Sequence, residues 1–203
     1  MEGVTWEYRC FLPRTTGLTA AALVAASLSR EAGPECRTDE YVAVDDEHGV
    51  KRRGGAPAGV QLELKTCVER RPNGAQKLAK AQVARGGDSW RDARGPLEAT
   101  LAAAVDAGAA SAGGVVRVAK QRWTGVAADR RVQWEVTKLK LANGAKWLTL
   151  CCEGPDAEEV AAAGAALLSA VASAARLPPY APRVCSYAAW VCERAREQAA
   201  APR

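Results

Sequence analysis

Apolar and polar residues alternate along several segments of the chain. Leu62 and Leu64, for example, alternate with Gln61, Glu63 and Lys65. Because successive side chains of a strand point to opposite faces, each such segment predicts a strand with one charged face. The pattern predicts strands over residues 4–12, 37–44, 50–54, 59–68, 115–123, 132–141 and 146–153.

Helical patterns separate and follow these strands. A threonine at position 15 or 16 can cap the first helix, and Pro96 and Gly108 stand near the two ends of a later one. The predicted helices cover residues 17–31, 76–84, 96–107 and 157–175, and a last helix begins near residue 186.

Together, these elements predict one α+β domain over residues 1–203. Its mostly antiparallel sheet is expected to close into a β-barrel or tunnel with flanking helices. About eight strands close a small barrel, so we expect one further strand within residues 66–90. We interpret residues 69–113 as a helical and loop insertion and residues 156–203 as a C-terminal helical segment.

The charge balance favours an anionic ligand. The net charge is +5 and the sequence pI is near 8.9, which is mildly basic. The densest basic run covers residues 51–53, and the chain contains no arginine-rich arm. We therefore expect a small-molecule partner rather than a nucleic acid.

Cysteine usage and apolar run lengths predict the compartment. The chain has seven cysteines, an odd number without Cys-x-x-Cys spacing, and no secretory signal follows Met1. These features predict an intracellular, cytoplasmic and reduced environment.

A single histidine, His48, argues against a zinc site. Because no uninterrupted apolar run reaches the roughly 18 to 20 residues of a membrane span, we expect no membrane partner.

The charged faces of the predicted strands carry both signs. A single Glu or Lys on a strand usually faces solvent, and an open sheet with one solvent-exposed face would explain any one of these charges by itself. The whole set lies on consistent faces of consecutive strands, which favours a closed tunnel that holds a polyanion together with a cation. The set consists of Arg9, Lys51, Arg53, Lys65, Lys120 and Arg122 with Glu7, Glu63, Glu135 and Glu153.

Short charged motifs follow one another in order along most of the chain. They are Thr5-x-Glu7-x-Arg9, Asp39-Glu40-Tyr41, Lys51-x-Arg53, Glu63-x-Lys65, Lys120-x-Arg122, Glu135, Cys151-x-Glu153 and Ser186-Tyr187. This order resembles that of the CYTH domain family, also called triphosphate tunnel metalloenzymes. The family opens with a Glu-x-Glu-x-Lys strand and closes with a terminal helix and a Ser-Tyr motif. Each motif alone is weak, and their colinearity carries the resemblance.

The resemblance implies a tunnel that binds a triphosphate-type polyanion, either a polyphosphate or a nucleotide, and hydrolyses it with Mg²⁺ or Mn²⁺. In such a tunnel, basic side chains bind phosphate oxygens, and carboxylates hold the metal that polarises the phosphoryl group. The implied roles are catalysis by Glu7, Glu135 and Glu153, substrate binding by Arg9, Lys51, Arg53, Lys65, Lys120 and Arg122, and metal ligation by Glu7, Glu63 and Glu153.

Departures from the family pattern leave two alternatives open. Thr5 and Cys151 stand where the family usually has glutamates, and Arg9 stands where it has lysine. The first alternative is therefore a tunnel that binds an anion or a protein partner without catalysis. A basic RNA-binding module ranks last, because the aromatic residues that would stack on bases fall on apolar faces.

Overall fold

The computed structural model describes residues 2–13, 34–53, 61–85, 99–110, 114–126, 131–174 and 182–200. The predicted helix over residues 17–31 lies outside these ranges. The strands are β1 (Glu2–Pro13), β2 (Glu35–Ala43), β3 (His48–Arg53), β4 (Gln61–Arg70), β5 (Gln76–Arg85), β6 (Val115–Val126), β7 (Gln133–Leu141), β8 (Lys146–Gly154) and β9 (Arg183–Val184). The helices are α1 (Ala99–Ala110), α2 (Ala157–Ala174) and α3 (Tyr187–Ala200).

Eight of the described strands form a closed antiparallel barrel. Their order is β5-β4-β3-β2-β6-β7-β8-β1, and β1 pairs with β5 to close the circle. The two-residue strand β9 pairs with Cys10 and Phe11 of β1, beyond the part of β1 that pairs with β5. The predicted α+β class with a closed antiparallel barrel is confirmed.

The eighth barrel strand, β5, occupies the segment that the sequence predicts to be a helix over residues 76–84, and that prediction is wrong. Its run of Ala, Lys, Leu and Gln has a high intrinsic helix propensity. Strand pairing on both edges overrides this propensity, because Leu78 lies opposite Thr5 of β1 and Ala81 lies opposite Leu64 of β4. The expectation of one more strand within residues 66–90 is met by the same element.

The outer face of the barrel is covered by α2. Tyr8 and Cys10 of β1 and Leu150 of β8 belong to one buried cluster with Val160 and Leu167 of this helix. The helix approaches β1 so closely that a Cβ added at position 164, now glycine, would lie 2.1 Å from the Tyr8 ring. The even-numbered residues of β1 therefore face this outer core, and its odd-numbered residues face the barrel interior.

The last helix, α3, fills one end of the barrel. Trp190 is fully buried and stacks on Phe11 of β1 with ring centroids 4.8 Å apart, in a cluster that also holds Val118 and Leu139. Ser186 caps this helix, because its Oγ accepts a hydrogen bond from the Ala189 backbone N–H at 3.0 Å. Apolar packing thus closes one end of the barrel, and charged side chains line the space beyond it.

Among the described helices, α2 is long and apolar enough to cross a membrane by length and composition alone, with 18 residues and a hydropathy of 1.3. Glu158 and Glu159 interrupt the apolar sequence of α2, and the expected absence of a membrane partner stays a prediction. One side of α2 packs on the barrel through Val160, Leu167 and Val171, and 22% of the helix is buried.

Candidate functional site

A cavity of about 290 Å³ lies inside the barrel and receives side chains from all eight barrel strands. The start of α3, at Ser186 and Tyr187, contributes to its wall. The structure brings together every residue that the sequence nominates for the site, while the individual roles stay predictions. These residues are Glu7, Arg9, Lys51, Arg53, Glu63, Lys65, Lys120, Arg122, Glu135 and Glu153.

Strand parity and register explain this convergence. Arg9 lies opposite Cys151 on β8, which in turn lies opposite Glu135 on β7. Residues 126 positions apart in the chain therefore share one inner face, and the Arg9 side chain reaches Glu135. The alternation visible in each segment becomes a common lining once the sheet closes.

Arg9 donates hydrogen bonds to three side chains inside the barrel. Its Nε donates to Glu7 Oε1 at 2.8 Å, and its Nη1 donates to Glu135 Oε1 at 3.2 Å and to Thr149 Oγ1 at 3.3 Å. Lys65 Nζ donates to the second oxygen of Glu7 at 3.0 Å. Burial by itself would raise the pKa of Glu7, but the charges of Arg9 and Lys65 hold that pKa well below its usual range.

Glu135 is also held by several partners. Arg122 Nε lies 3.0 Å from its Oε2, and Thr137 Oγ1 donates to its Oε1 at 2.9 Å. Burial would raise the pKa of Glu135, yet the positive charges of Arg9 and Arg122 lower it to about 2. This carboxylate is therefore ionised throughout the physiological pH range.

Lys51 and Glu63 form a third pair, with Nζ and Oε1 2.6 Å apart. Only 12% of the Lys51 side chain is exposed. Burial lowers the pKa of Lys51 to about 7, helped by the like charges of Lys65 and Arg53 and opposed by Glu63. Lys51 is thus a cation that can lose its proton near neutral pH.

A fourth group centres on Asp39, which the sequence motif contains but to which we assigned no role. Asp39 is fully buried, and its Oδ2 lies 2.8 Å from Lys120 Nζ. Lys120 also donates to the Tyr41 hydroxyl and lies 4.4 Å from the centroid of the Tyr187 ring. Burial lowers the pKa of Lys120 to about 8, against the opposing effect of Asp39.

Sequence reasoning missed two cations that line the cavity, Arg37 and Lys80. Arg37 Nη1 donates to Glu35 at 2.7 Å, and its Nε lies 3.2 Å from Asp39 Oδ1. Parity could have identified Arg37, since it stands two positions before Asp39. Lys80 pairs with Glu153. It belongs to the segment that was predicted to be a helix, so strand alternation could not be used to predict that its side chain faces the cavity.

The two positions that depart from the family pattern lie in the same region. Thr5 Oγ1 donates to Glu153 Oε1 at 3.1 Å. Cys151 is 4% exposed and stands between Arg9 and Glu135 in the strand register. Burial raises the pKa of the Cys151 thiol well above its usual value, so it carries no charge at neutral pH.

The acids as placed do not fit a divalent metal. Across the described residues, no group of three or more His, Cys, Asp or Glu side chains could hold a metal ion. Glu7, Glu63 and Glu153 all line the cavity, but each is paired with a lysine from another strand. Their role as metal ligands stays a prediction from the resemblance.

No protein-family model and no curated protein matches this chain. Among solved structures, the PH1012 protein of Pyrococcus horikoshii OT3 is similar over 90% of this chain and 97% of its own, with a TM-score of 0.50 and 14% identity. A candidate adenylate cyclase from Bacillus halodurans matches over 86% and 92%, with a TM-score of 0.49 and 12% identity. The Pct1 RNA triphosphatase of S. pombe matches over 85% and 80%, with a TM-score of 0.32 and 8% identity. At these identities, the likeness to PH1012 supports the fold alone.

Proposed function

We propose that the barrel cavity binds a compact polyphosphate of the triphosphate class. The observation that carries this proposal is the concentration of cations in the wall: the described lining contains eight lysines and arginines with five glutamates. Asp39 and Glu35, next to the lining, pair with four of these cations and leave a small positive surplus. An enclosed space with surplus cations attracts a small polyanion, since buried like charges repel one another until an anion neutralises them. The ligand in this proposal binds the same lysines and arginines that now pair with carboxylates.

The guanidinium groups of the wall support phosphate as the ligand chemistry. Arginine binds phosphate oxygens with two parallel hydrogen bonds and remains charged at any physiological pH. The Nε atoms of Arg37, Arg53 and Arg122 are buried and form no hydrogen bond within the described structure, although each lies within 4 Å of a carboxylate. These donors are therefore not saturated by hydrogen bonds within the protein and support an anionic ligand.

The aromatic residues of the wall favour a ligand that has no nucleobase. Tyr41 and Tyr187 stack on each other with ring centroids 4.6 Å apart. Lys120 lies over both rings, and Arg9 lies 5.2 Å from the centroid of Tyr187. Because bases bind by stacking on open aromatic faces, these covered rings favour a plain polyphosphate over a nucleotide. The volume of about 290 Å³ agrees with a small ligand.

The experiment is a calorimetric titration of the protein with inorganic tripolyphosphate and, separately, with ATP, both in EDTA. We expect micromolar binding of tripolyphosphate and weaker binding of ATP. Arg53→Met, which removes a partly exposed lining cation, is expected to weaken binding about tenfold, since 1.4 kcal/mol corresponds to a factor of ten. Lys140→Met, at an exposed position on the outer face, is the matched control and should leave affinity unchanged.

The proposal fails if tripolyphosphate does not bind below millimolar concentration in any buffer, or if Arg53→Met and Lys140→Met weaken binding equally. Hydrolysis, which the resemblance implies, has its own assay. Phosphate release from tripolyphosphate is measured with Mg²⁺, Mn²⁺ or EDTA on the wild type and on Glu7→Gln. Metal-dependent release that Glu7→Gln abolishes would add catalysis to binding.

A further inference from the structure

Four of the five glutamates that line the cavity are in close contact with a cation of the wall, and the fifth, Glu47, lies 3.9 Å from Arg70. Glu63 lies 2.6 Å from Lys51, Glu7 lies 2.8 Å from Arg9 and 3.0 Å from Lys65, and Glu153 is paired with Lys80. Glu135 lies between two guanidinium groups, at 3.2 Å from Arg9 and 3.0 Å from Arg122. Glu7 and Glu153 lie opposite each other on the adjacent strands β1 and β8, and Glu135 follows on β7, yet each of these carboxylates has a cation as its partner.

This pairing with lysines and arginines is unfavourable for binding a divalent ion and stabilises the buried cations themselves. Mg²⁺ requires oxygen ligands in near-ideal octahedral geometry, so binding it here would first require displacing ammonium or guanidinium groups from the oxygens. The lysines and arginines would also repel the incoming ion. In the ligand-free protein, by contrast, buried cations must be paired, since an unpaired buried charge costs several kcal/mol.

We infer that the cavity binds its polyphosphate without a divalent metal and that its glutamates are internal counter-ions which the ligand displaces. This inference rests on the proposed function and concerns how the same site works. Phosphate oxygens and carboxylate oxygens offer the same kind of acceptor to a lysine or arginine. The ligand can therefore take over the contacts of Lys51, Lys65 and Lys80, while the freed glutamates turn away from them.

The inference predicts the sign of two mutational effects. Removing the charge of a counter-ion leaves its cation available to the ligand, so Glu63→Gln and Glu153→Gln should strengthen tripolyphosphate binding in EDTA by about three- to tenfold. If the same glutamates were metal ligands, these variants would weaken binding in Mg²⁺ and leave binding in EDTA unchanged. Glu158→Gln, on the exposed side of α2, is the control and should change neither value.

The test combines these variants with two measurements on the wild type. Tripolyphosphate is titrated into the protein in EDTA and in excess Mg²⁺, and Mn²⁺ alone is titrated into the ligand-free protein. We expect binding in EDTA to be at least as tight as binding in Mg²⁺, and no micromolar site for Mn²⁺. Thermal unfolding of each variant verifies that it is folded before its affinity is compared.

The outcomes separate this inference from the proposed function. Binding of tripolyphosphate only in Mg²⁺, or a micromolar Mn²⁺ site that Glu63→Gln abolishes, would overturn the inference and leave the proposed function standing. Absence of binding in both buffers would end the proposed function and the inference with it. The wild-type titrations decide between these outcomes even if a variant does not fold.

Discussion

Arg9 and Glu7, two residues apart on β1, form a buried ion pair in the barrel wall, with Nε and Oε1 2.8 Å apart and 7% and 3% of their side chains exposed. Arg9 also neutralises Glu135, so a single guanidinium serves two carboxylates. Removing this group would leave both acids short of positive charge in a region with little access to water.

We therefore expect Arg9→Met to lower the free energy of unfolding by about 3 kcal/mol or more. Lys65 and Arg122 remain beside the two acids and keep the loss from being larger. Urea unfolding followed by tryptophan fluorescence measures the change. Arg117→Met, on the exposed outer face, is the control and should stay within about 0.5 kcal/mol of the wild type. A loss for Arg9→Met no larger than that of the control would contradict the role of this pair.

Stability should fall in acid because the cavity carboxylates have lowered pKa values. Glu135 titrates at about 2 in the folded protein against an ordinary value of 4.5. The unfolded chain thus binds the proton first, and the stabilisation from this group is complete above about pH 4.5 and is lost as the pH falls towards 2. For Glu135 alone, the loss amounts to at most about 3 kcal/mol.

Urea midpoints measured from neutral pH down to about pH 3 test this expectation. Glu135→Gln should be less stable than the wild type at neutral pH and should show a shallower decline below pH 4.5. If wild type and Glu135→Gln decline in parallel, the lowered pKa of Glu135 is not a source of stability.

The affinity for tripolyphosphate should depend on the protonation of Lys51. With a pKa of about 7, Lys51 loses its charge as the pH rises through neutrality, and the cavity then has one cation fewer. Glu63 faces this amine at 2.6 Å, and the positive groups of Lys65, Arg53 and Lys120 surround it. We expect this loss to weaken binding by up to about tenfold between pH 6 and pH 8.5.

Lys51→Arg separates this effect from titration of the ligand, whose terminal phosphates also ionise near pH 6. Arginine keeps its charge over the whole range. The ratio of wild-type to variant affinity should therefore fall as the pH rises. A ratio independent of pH would show that Lys51 keeps its proton in the ligand-free protein.

Replacing Gly164 of α2 should destabilise the protein, because the helix packs too closely on Tyr8 to leave room for a side chain. A Cβ at this position would lie 2.1 Å from the ring of Tyr8, far inside contact distance. Alanine has the better helix propensity by about 1 kcal/mol, so propensity alone would favour the replacement. We expect Gly164→Ala nevertheless to destabilise the protein by about 1 to 3 kcal/mol, because the helix must move off the barrel. Thermal unfolding measures the effect, with the exposed Ala165→Ser as control. A gain in stability would mean that Tyr8 can turn aside at little cost.

The charge pattern predicted much of the cavity lining because strand parity is a local property. Glu7 and Arg9, or Lys120 and Arg122, lie on one face of their strand whatever the partner strand is. The apolar face of β1 packs under α2, so its charged face is left to line the interior of the closed barrel. The same reasoning would have included Arg37, which shares the parity of Asp39 and lines the cavity.

The strand β5 and its inward-facing Lys80 could not be predicted from neighbouring residues in the sequence. The segment from Gln76 to Arg85 has a helix-forming composition, and only its hydrogen bonds to β1 and β4 make it a strand. The partners that decide its state lie far away in the sequence. A prediction based on neighbouring residues therefore missed both the strand and the cation that it contributes.

Apart from β5, the sequence by itself determined the faces of the barrel strands, the sign of the charges on them and the class of fold, because alternation along a strand follows from backbone geometry. Only the tertiary structure decided which charges meet. The pairing of Glu7 with Lys65, of Glu63 with Lys51 and of Glu153 with Lys80 depends on barrel closure and on the register between strands. Charge interactions fall off with distance and depend on burial, so the same ten residues could have formed a metal site or a set of ion pairs, and their spacing in the closed barrel favours the ion pairs.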